Sequence, residues 1–258
     1  RGETDILNGA FMPELKLTKD SMLDGQLTLW QPAKGFGYRF NLDPILLSGF
    51  AKSEGCILDL GSGCGVLGLA MLLRGAKHLI AVEKEPAMAE VIKQNAEENG
   101  LSSRVDVICA DLRELDGLTV DHVVSNPPYF KPGSGRAADN ALKDAARFER
   151  SGGLYDFLHC GLHQVKDGGT VSFVIRYDRK ADLLKHTEEL GASVQRICEV
   201  RPHRDSIPKM IMAELMSVRG AETPSMETLT IHEEPGKRDY TETVRNLLSR
   251  IPSGVGPA

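Results

Sequence analysis

Between Cys56 and Val200, short apolar runs alternate with stretches whose apolar positions recur every three or four residues. Cys56–Leu60, His78–Glu83, Val105–Ala110, Asp121–Ser125 and Thr170–Ile175 read as strands. Gly63–Arg74, Pro86–Asn99, Leu154–Val165 and Arg179–Leu190 read as helices, with Pro86 suited to a first turn. Asp167-Gly168-Gly169 is expected to close the third of these helices. Val194–Val200 and Met210–Val218 are further strands, joined through R-P-H-R-D-S-I-P-K with no helical pattern, so they should pair antiparallel. The alternation predicts an α/β fold: a seven-stranded, mostly parallel sheet with the last strand reversed and helices on both faces.

The flanks have a different texture. Leu27–Trp30 and Gly37–Phe40 suit a small hairpin, and Asp43–Phe50 a short capped helix. After Arg219, A-E-T-P-S-M-E-T reads as a linker, followed by a strand at Leu229–His232 and a helix at Thr241–Arg250. The expected organisation is an extension over residues 1–50 that covers a ligand site, a core over 51–219, and a strand–helix addition over 220–258.

Composition adds mainly exclusions. A formal charge of −5 gives no global signature of nucleic-acid binding, so any basic face must be local. Five scattered cysteines include no C-x-x-C pair, which argues against a zinc site or a disulfide framework and for the reducing cytoplasm. The longest apolar run, Val66 to Leu73, is too short to cross a membrane. No signal peptide is visible, although the chain begins at Arg1 rather than Met. No metal is expected.

Candidate chemistry gathers where the predicted strands end. Leu58-Asp59-Leu60-Gly61-Ser62-Gly63-Cys64-Gly65 leaves the first core strand and opens a helix. Glycines there let a ligand approach the backbone, and the helix N-terminus favours an anionic group. The dinucleotide fingerprint needs G-x-G-x-x-G, and the third glycine arrives one residue early. Glu83 ends the second strand, where a carboxylate can bind both hydroxyls of a ribose. Asp111 follows the third, placed to accept from an adenine amine.

D-L-G-S-G-C-G, the acid of A-V-E, C-A-D and S-N-P-P-Y together resemble the ordered motifs of class I S-adenosylmethionine-dependent methyltransferases. The resemblance covers about Cys56 to Val218 and implies a Rossmann-like methyltransferase sheet with S-adenosyl-L-methionine as cofactor. It assigns cofactor contacts to Asp59, Gly61, Gly63 and Gly65, to Glu83 with Lys84 beside it, to Asp111 with Leu112, and to Asn126 at the border with the substrate.

In that family Asn-Pro-Pro-Tyr marks enzymes that methylate a planar, conjugated nitrogen. Such a nitrogen has its lone pair delocalised and is a poor nucleophile. Two acceptors along its N–H bonds, here Asn126 Oδ1 and the Pro127 carbonyl, draw it toward tetrahedral geometry and aim the lone pair. The prolines stiffen the turn that holds them. Tyr129 would stack on the planar group. These three are the implied catalytic residues.

The flanks sharpen the resemblance. G-F-G-Y-R-F-N-L-D-P-I-L-L, N-P-P-Y-F-K-P-G-S-G-R and the terminal L-T-I-H…Y-T-E-T resemble the bacterial tRNA1(Val) (adenine-N6)-methyltransferases, which are related to rRNA guanine-N2 methyltransferases. By this likeness the segment before the first core strand covers the cofactor, with Phe40 and Asp43 as candidate contacts, and RNA is the partner of a monomer or homodimer. Glutamine-N5 methyltransferases of release factors share N-P-P-Y but carry a sizeable helical domain ahead of the core; here about fifty partly strand-like residues stand there. A cofactor-binding RNA partner without catalysis is a further alternative, though it would have no use for an intact clamp. Local cations fit RNA: Lys131, Arg136, Arg147 and Arg150 beyond the clamp, and Arg196, Arg201, His203, Arg204 and Lys209 around the last strand turn. Lys131–Asn140, rich in small residues, is expected to be mobile until substrate binds.

Overall fold

The computed structural model describes residues 16–34, 41–128, 153–217, 223–237 and 239–249. The strands β1 (Leu17–Met22) and β2 (Leu27–Pro32) form a hairpin, and helix α1 (Asp43–Phe50) follows. The core then runs β3 (Cys56–Leu60), α2 (Val66–Leu73), β4 (His78–Glu83), α3 (Pro86–Glu98), β5 (Val105–Cys109) and β6 (Val120–Ser125). Helix α4 (Leu154–Gln164), β7 (Val165–Arg176), α5 (Lys180–Glu189), β8 (Ser193–Arg201) and β9 (Met210–Met216) complete it. Strand β10 (Ser225–Thr230) and helix α6 (Glu242–Ser249) close the described chain.

The sheet order is β10-β8-β9-β7-β6-β3-β4-β5, with β9 antiparallel to both neighbours and every other pair parallel. The seven expected strands are β3 to β9, and β9 is the reversed one. The eighth, β10, extends the sheet by pairing with β8, so Ser225–Thr228, read from sequence as linker, is strand instead. Its polar S-M-E-T face is exposed, and at such an edge backbone pairing rather than apolar burial makes the strand. Two apolar clusters, one on each face, cover the sheet: one centred on α1, α2 and α3, the other on α4 and α5.

Two further expectations change. Asp167-Gly168-Gly169 does not end a helix. It lies within β7 as a bulge, because the pairing with β6 slips between Val120↔Val165 and His122↔Thr170. The hairpin partner of Leu27–Trp30 is Leu17–Met22, while Gly37–Phe40 lies outside the described residues.

That hairpin is fastened to α3 by two asparagines one turn apart. Asn99 Oδ1 accepts from the Thr28 N–H (2.9 Å) and its amide donates to the Thr28 carbonyl (2.7 Å). Asn95 does the same to Trp30, at 2.7 and 2.9 Å. The two side chains thus offer β2 the donor–acceptor pattern of a neighbouring strand. Lys19 and the Trp30 indole both reach Glu98 on the same helix.

Candidate active site

Register brings the strand ends level. Leu60 of β3 lies beside Ser125 of β6 on one side and Val82 of β4 on the other, and Glu83 lies beside Cys109 of β5. Asn126, Gly61 and Glu83 therefore leave the sheet along one edge, with Asn126 and Glu83 about two strand spacings, roughly 10 Å, apart. Carboxyl-terminal strand ends are where open α/β sheets bind ligands. The topology alone assembles this group.

The glycine loop takes its shape from Gly61, Gly63 and Gly65, all at positive φ (69°, 59° and 83°). The Gly61 and Ser62 N–H groups donate to the Val82 carbonyl, which pins the loop across β4. A Cβ at Gly61 would stand 3.1 Å from the Phe157 ring, and one at Gly65 3.2 Å from Ile92. At Gly63 it would meet nothing within 4 Å. The outer two glycines pack against helices, and the middle one fronts open space.

Glu83 supports that space from below. Its carboxylate accepts from the Gly63 N–H (2.8 Å) and the Glu85 N–H (3.0 Å). It is 9% exposed, and burial pushes its pKa up against the pull of those backbone bonds. Two oxygens fixed beside an open glycine fit a vicinal diol, whose hydroxyls would take the remaining lone pairs. These residues fit the ribose and methionine parts of S-adenosylmethionine. Lys84 follows, half-buried.

Asp59, an expected cofactor contact, carries its own bond within the fold. It is buried and turned into the first turn of α2, where it accepts from the Gly68 N–H at 3.1 Å. Burial pushes its pKa up to about 7. Asp59 thus braces the helix that starts from the loop. Asp111 caps the short helical turn Leu112–Glu114 and holds Arg113 through its guanidinium and backbone N–H, which draw its pKa down to about 2. An adenine amine would share an already charged, already bonded carboxylate. Leu112 is buried beneath it.

Ser125 ends β6 with its hydroxyl donating to the Leu60 carbonyl (2.7 Å), tying the strand before Asn126 to the strand before Gly61. Asn126 is half-buried, Pro127 buried and Pro128 exposed. Asp43 is buried at the start of α1, its N–H donating to Asn41. Phe40, Tyr129, Lys131, Arg136, Arg147, Arg150 and the Lys131–Asn140 segment lie outside the described residues.

Sequence reasoning passed over Asn95. It is fully buried, and the amide that grips Trp30 also donates to the Cys64 carbonyl in the glycine loop (2.8 Å). Its signal was a polar residue on the stripe of Val91, Ile92 and Ala96. One cation leaves the expected basic face. Arg196 stacks on the Phe50 ring at 3.9 Å, donates to the Phe50 carbonyl and pairs with Glu214 and Glu227, so its charge is spent inside the fold. Arg201, His203, Arg204 and Lys209 do gather at the end of β8, on the sheet edge that carries Glu83 and Asn126.

Among the described residues no group of three or more His, Cys, Asp or Glu could hold a metal ion, and no helix is long and apolar enough to cross a membrane.

Comparison with known proteins adds four findings. Residues 43–159 match the family model of the methyltransferase small domain. The chain is 30% identical over 221 residues to the tRNA1(Val) (adenine(37)-N6)-methyltransferase of Glaesserella parasuis, covering 83% of this chain and 92% of that one. It is 26% identical over 208 residues to the protein of that name from Photobacterium profundum, covering 77% and 86%. Among solved structures it resembles a predicted O-methyltransferase from Agrobacterium tumefaciens with a TM-score of 0.61 at 22% identity, over 80% of this chain and 94% of that one. The last likeness speaks to the fold alone.

Proposed function

Because the chain belongs to the class I S-adenosylmethionine-dependent methyltransferases and is related to the tRNA adenine-N6 enzymes, we propose that it methylates the exocyclic N6 amine of an adenine in RNA, with tRNA as the substrate. The observation that carries this reading is the position of Asn126-Pro127-Pro128. It follows directly from β6, one strand away from the glycine loop and level with it. The named activity of the two relatives supports adenine in tRNA over other conjugated nitrogens.

S-adenosylmethionine, when bound, supplies an electrophilic methyl group on a sulfonium centre. Gly61, Gly63 and Gly65 with Glu83 would hold it, and Leu112 would flank its adenine. The residues of the clamp act on the other reactant. Asn126 Oδ1 and the Pro127 carbonyl accept the two N–H bonds of the amine, which bends it from planarity and presents its lone pair. As positive charge grows on the nitrogen, the two oxygens stabilise it, and a turn stiffened by the prolines keeps the cost of reorganisation low. The surplus proton leaves to water from an acidic ammonium, and no strong base is required. An adenine within folded RNA must first leave its stack, and Tyr129 is the residue that would receive its face.

Transfer of labelled methyl to total bacterial tRNA, rRNA and release factors, followed by analysis of the labelled residue, tests the proposal. Label in N6-methyladenine of tRNA is expected. Label in glutamine would move the chain to the release-factor enzymes, and label in guanine to the rRNA group.

A further inference from the structure

Strands β8 and β10 run parallel to β3, so their carboxyl ends open on the same edge as the glycine loop and Asn126. The chain leaving β10 crosses the end of β8: Ile231 N–H donates to the Arg201 carbonyl and His232 N–H to the Pro202 carbonyl, both at 2.9 Å. His232 pairs with Tyr240 in an antiparallel bridge, and their rings stack at 5.3 Å and 15°. The His203 ring lies 6.2 Å from His232. His203 is itself fixed, with its N–H on the Ser206 hydroxyl and its carbonyl taking the Ser206 N–H.

This cluster is held firmly yet is chemically incomplete. Arg201 Nε, His203 Nδ1 and His232 Nδ1 are each shielded from solvent without a hydrogen-bond partner. Buried nitrogens in that state are uncommon, and three where the ends of β8 and β10 meet ask for an explanation. Nothing in the folding of the sheet supplies one, because the backbone bonds that seat β10 use none of these side chains. The surrounding charge is mixed: Arg204 and Lys209 are exposed at the turn, and Glu199 is shared by Lys180 (2.9 Å) and Arg201 (3.7 Å). Asp205, Glu233 and Asp239 stand nearby in the chain. A guanidinium N–H and two imidazole nitrogens suit the oxygens of a phosphate, and the residues that carry them are only half-buried at the carboxyl ends of the strands.

We propose that Arg201, His203 and His232, backed by Tyr240, form a subsite for an RNA phosphodiester near the target nucleotide. The inference rests on the RNA reading above and adds to it a place on the molecule. From β8 to β6 is three strand spacings, about 14 Å. That is beyond the target nucleotide itself and within the span of its neighbours. The carboxyl-terminal strand and helix then serve substrate recognition, with His232 as their contact.

The test uses the full chain with unmodified tRNA. His232→Phe keeps a ring against Tyr240 and removes the nitrogen, and His203→Ala removes the second donor. Each should raise the KM for tRNA about tenfold, the effect of a lost charged hydrogen bond, with kcat and the calorimetric affinity for S-adenosylmethionine unchanged. A KM equal to that of the unaltered enzyme, or a loss in kcat alone, would overturn the subsite while leaving RNA methylation standing. Methyl transfer to release-factor glutamine with none to RNA would overturn both.

Discussion

The two ends of the sheet treat their buried polar groups in opposite ways. Around the glycine loop, Asn95, Asp59 and Glu83 are buried and engaged with backbone N–H and carbonyl groups at 2.7–3.1 Å. At the end of β8, three nitrogens of Arg201, His203 and His232 have no partner. A matched network fixes geometry, which a small ligand with a reacting methyl group requires. An unmatched one leaves bonding capacity for a partner that arrives from outside. In the proposed reading, the small, fixed reactant and the large, variable one would then be served by one edge of one sheet, with Asn126 between them.

The largest expected effect lies at that junction. Asn126→Ala removes one acceptor for the amine and touches neither Glu83 nor the loop. Methyl transfer should fall roughly a hundredfold or more, while cofactor affinity changes little. Single-turnover rates beside calorimetry decide it, and transfer at the normal rate would remove the clamp from the mechanism.

Next comes the bolt behind the loop. Asn95→Ala leaves the Trp30 N–H and carbonyl and the Cys64 carbonyl without their partner. Unfolding free energy should drop by about 2–4 kcal/mol in urea titration, and binding of S-adenosylmethionine should weaken with it. If stability falls and cofactor affinity does not, Asn95 fastens the hairpin only and the matched end is less unified than described.

Smaller still is a dependence on pH. Burial raises the pKa of Asp59 to about 7, against an ordinary value of 3.8. The fold therefore favours the protonated form. The stability this group contributes is full below about pH 4 and is lost as pH rises toward 7. Relative to the unaltered protein, Asp59→Asn should gain melting temperature steadily across that window. Parallel melting curves at every pH would place the titration elsewhere.

The least dramatic test probes the open end. Arg201→Ala with Arg204→Ala should lower the slope of log affinity for tRNA against log salt by about two, one for each phosphate that is no longer neutralised. An unchanged slope would show that RNA docks away from β8 and would dissolve the contrast between the two ends.

How much of this was legible beforehand follows the range of the interactions. The strands β3, β4 and β6 and the loop between β3 and α2 could be read because burial on both faces writes apolar runs and the turn demands glycine. The hairpin partner could not. Leu17–Met22 reads L-T-K-D-S-M, with little apolar pattern, and it is a strand because β2 pairs with it. Ser225–Thr228, the first part of the edge strand β10, reads as linker for the same reason, whereas Leu229 and Thr230 fall in a stretch that reads as strand. Within the site, Glu83 and Asp59 look alike in sequence as acids at strand ends. Only the direction of each side chain separates the one facing the open glycine from the one bracing α2. The ring cluster joins His203 to His232 through the pairing of β10 with β8, a tertiary choice that local pattern does not encode.

The grip of Asn95 and Asn99 on β2 has a consequence for how the protein behaves at high concentration. A two-stranded hairpin ordinarily exposes a row of backbone donors and acceptors, and such rows recruit strands from other molecules. Here the outward groups of Thr28 and Trp30 are occupied by amide side chains of α3. A second molecule would have to displace both amides before it added a strand. The helix that steadies the glycine loop also guards that edge against aggregation.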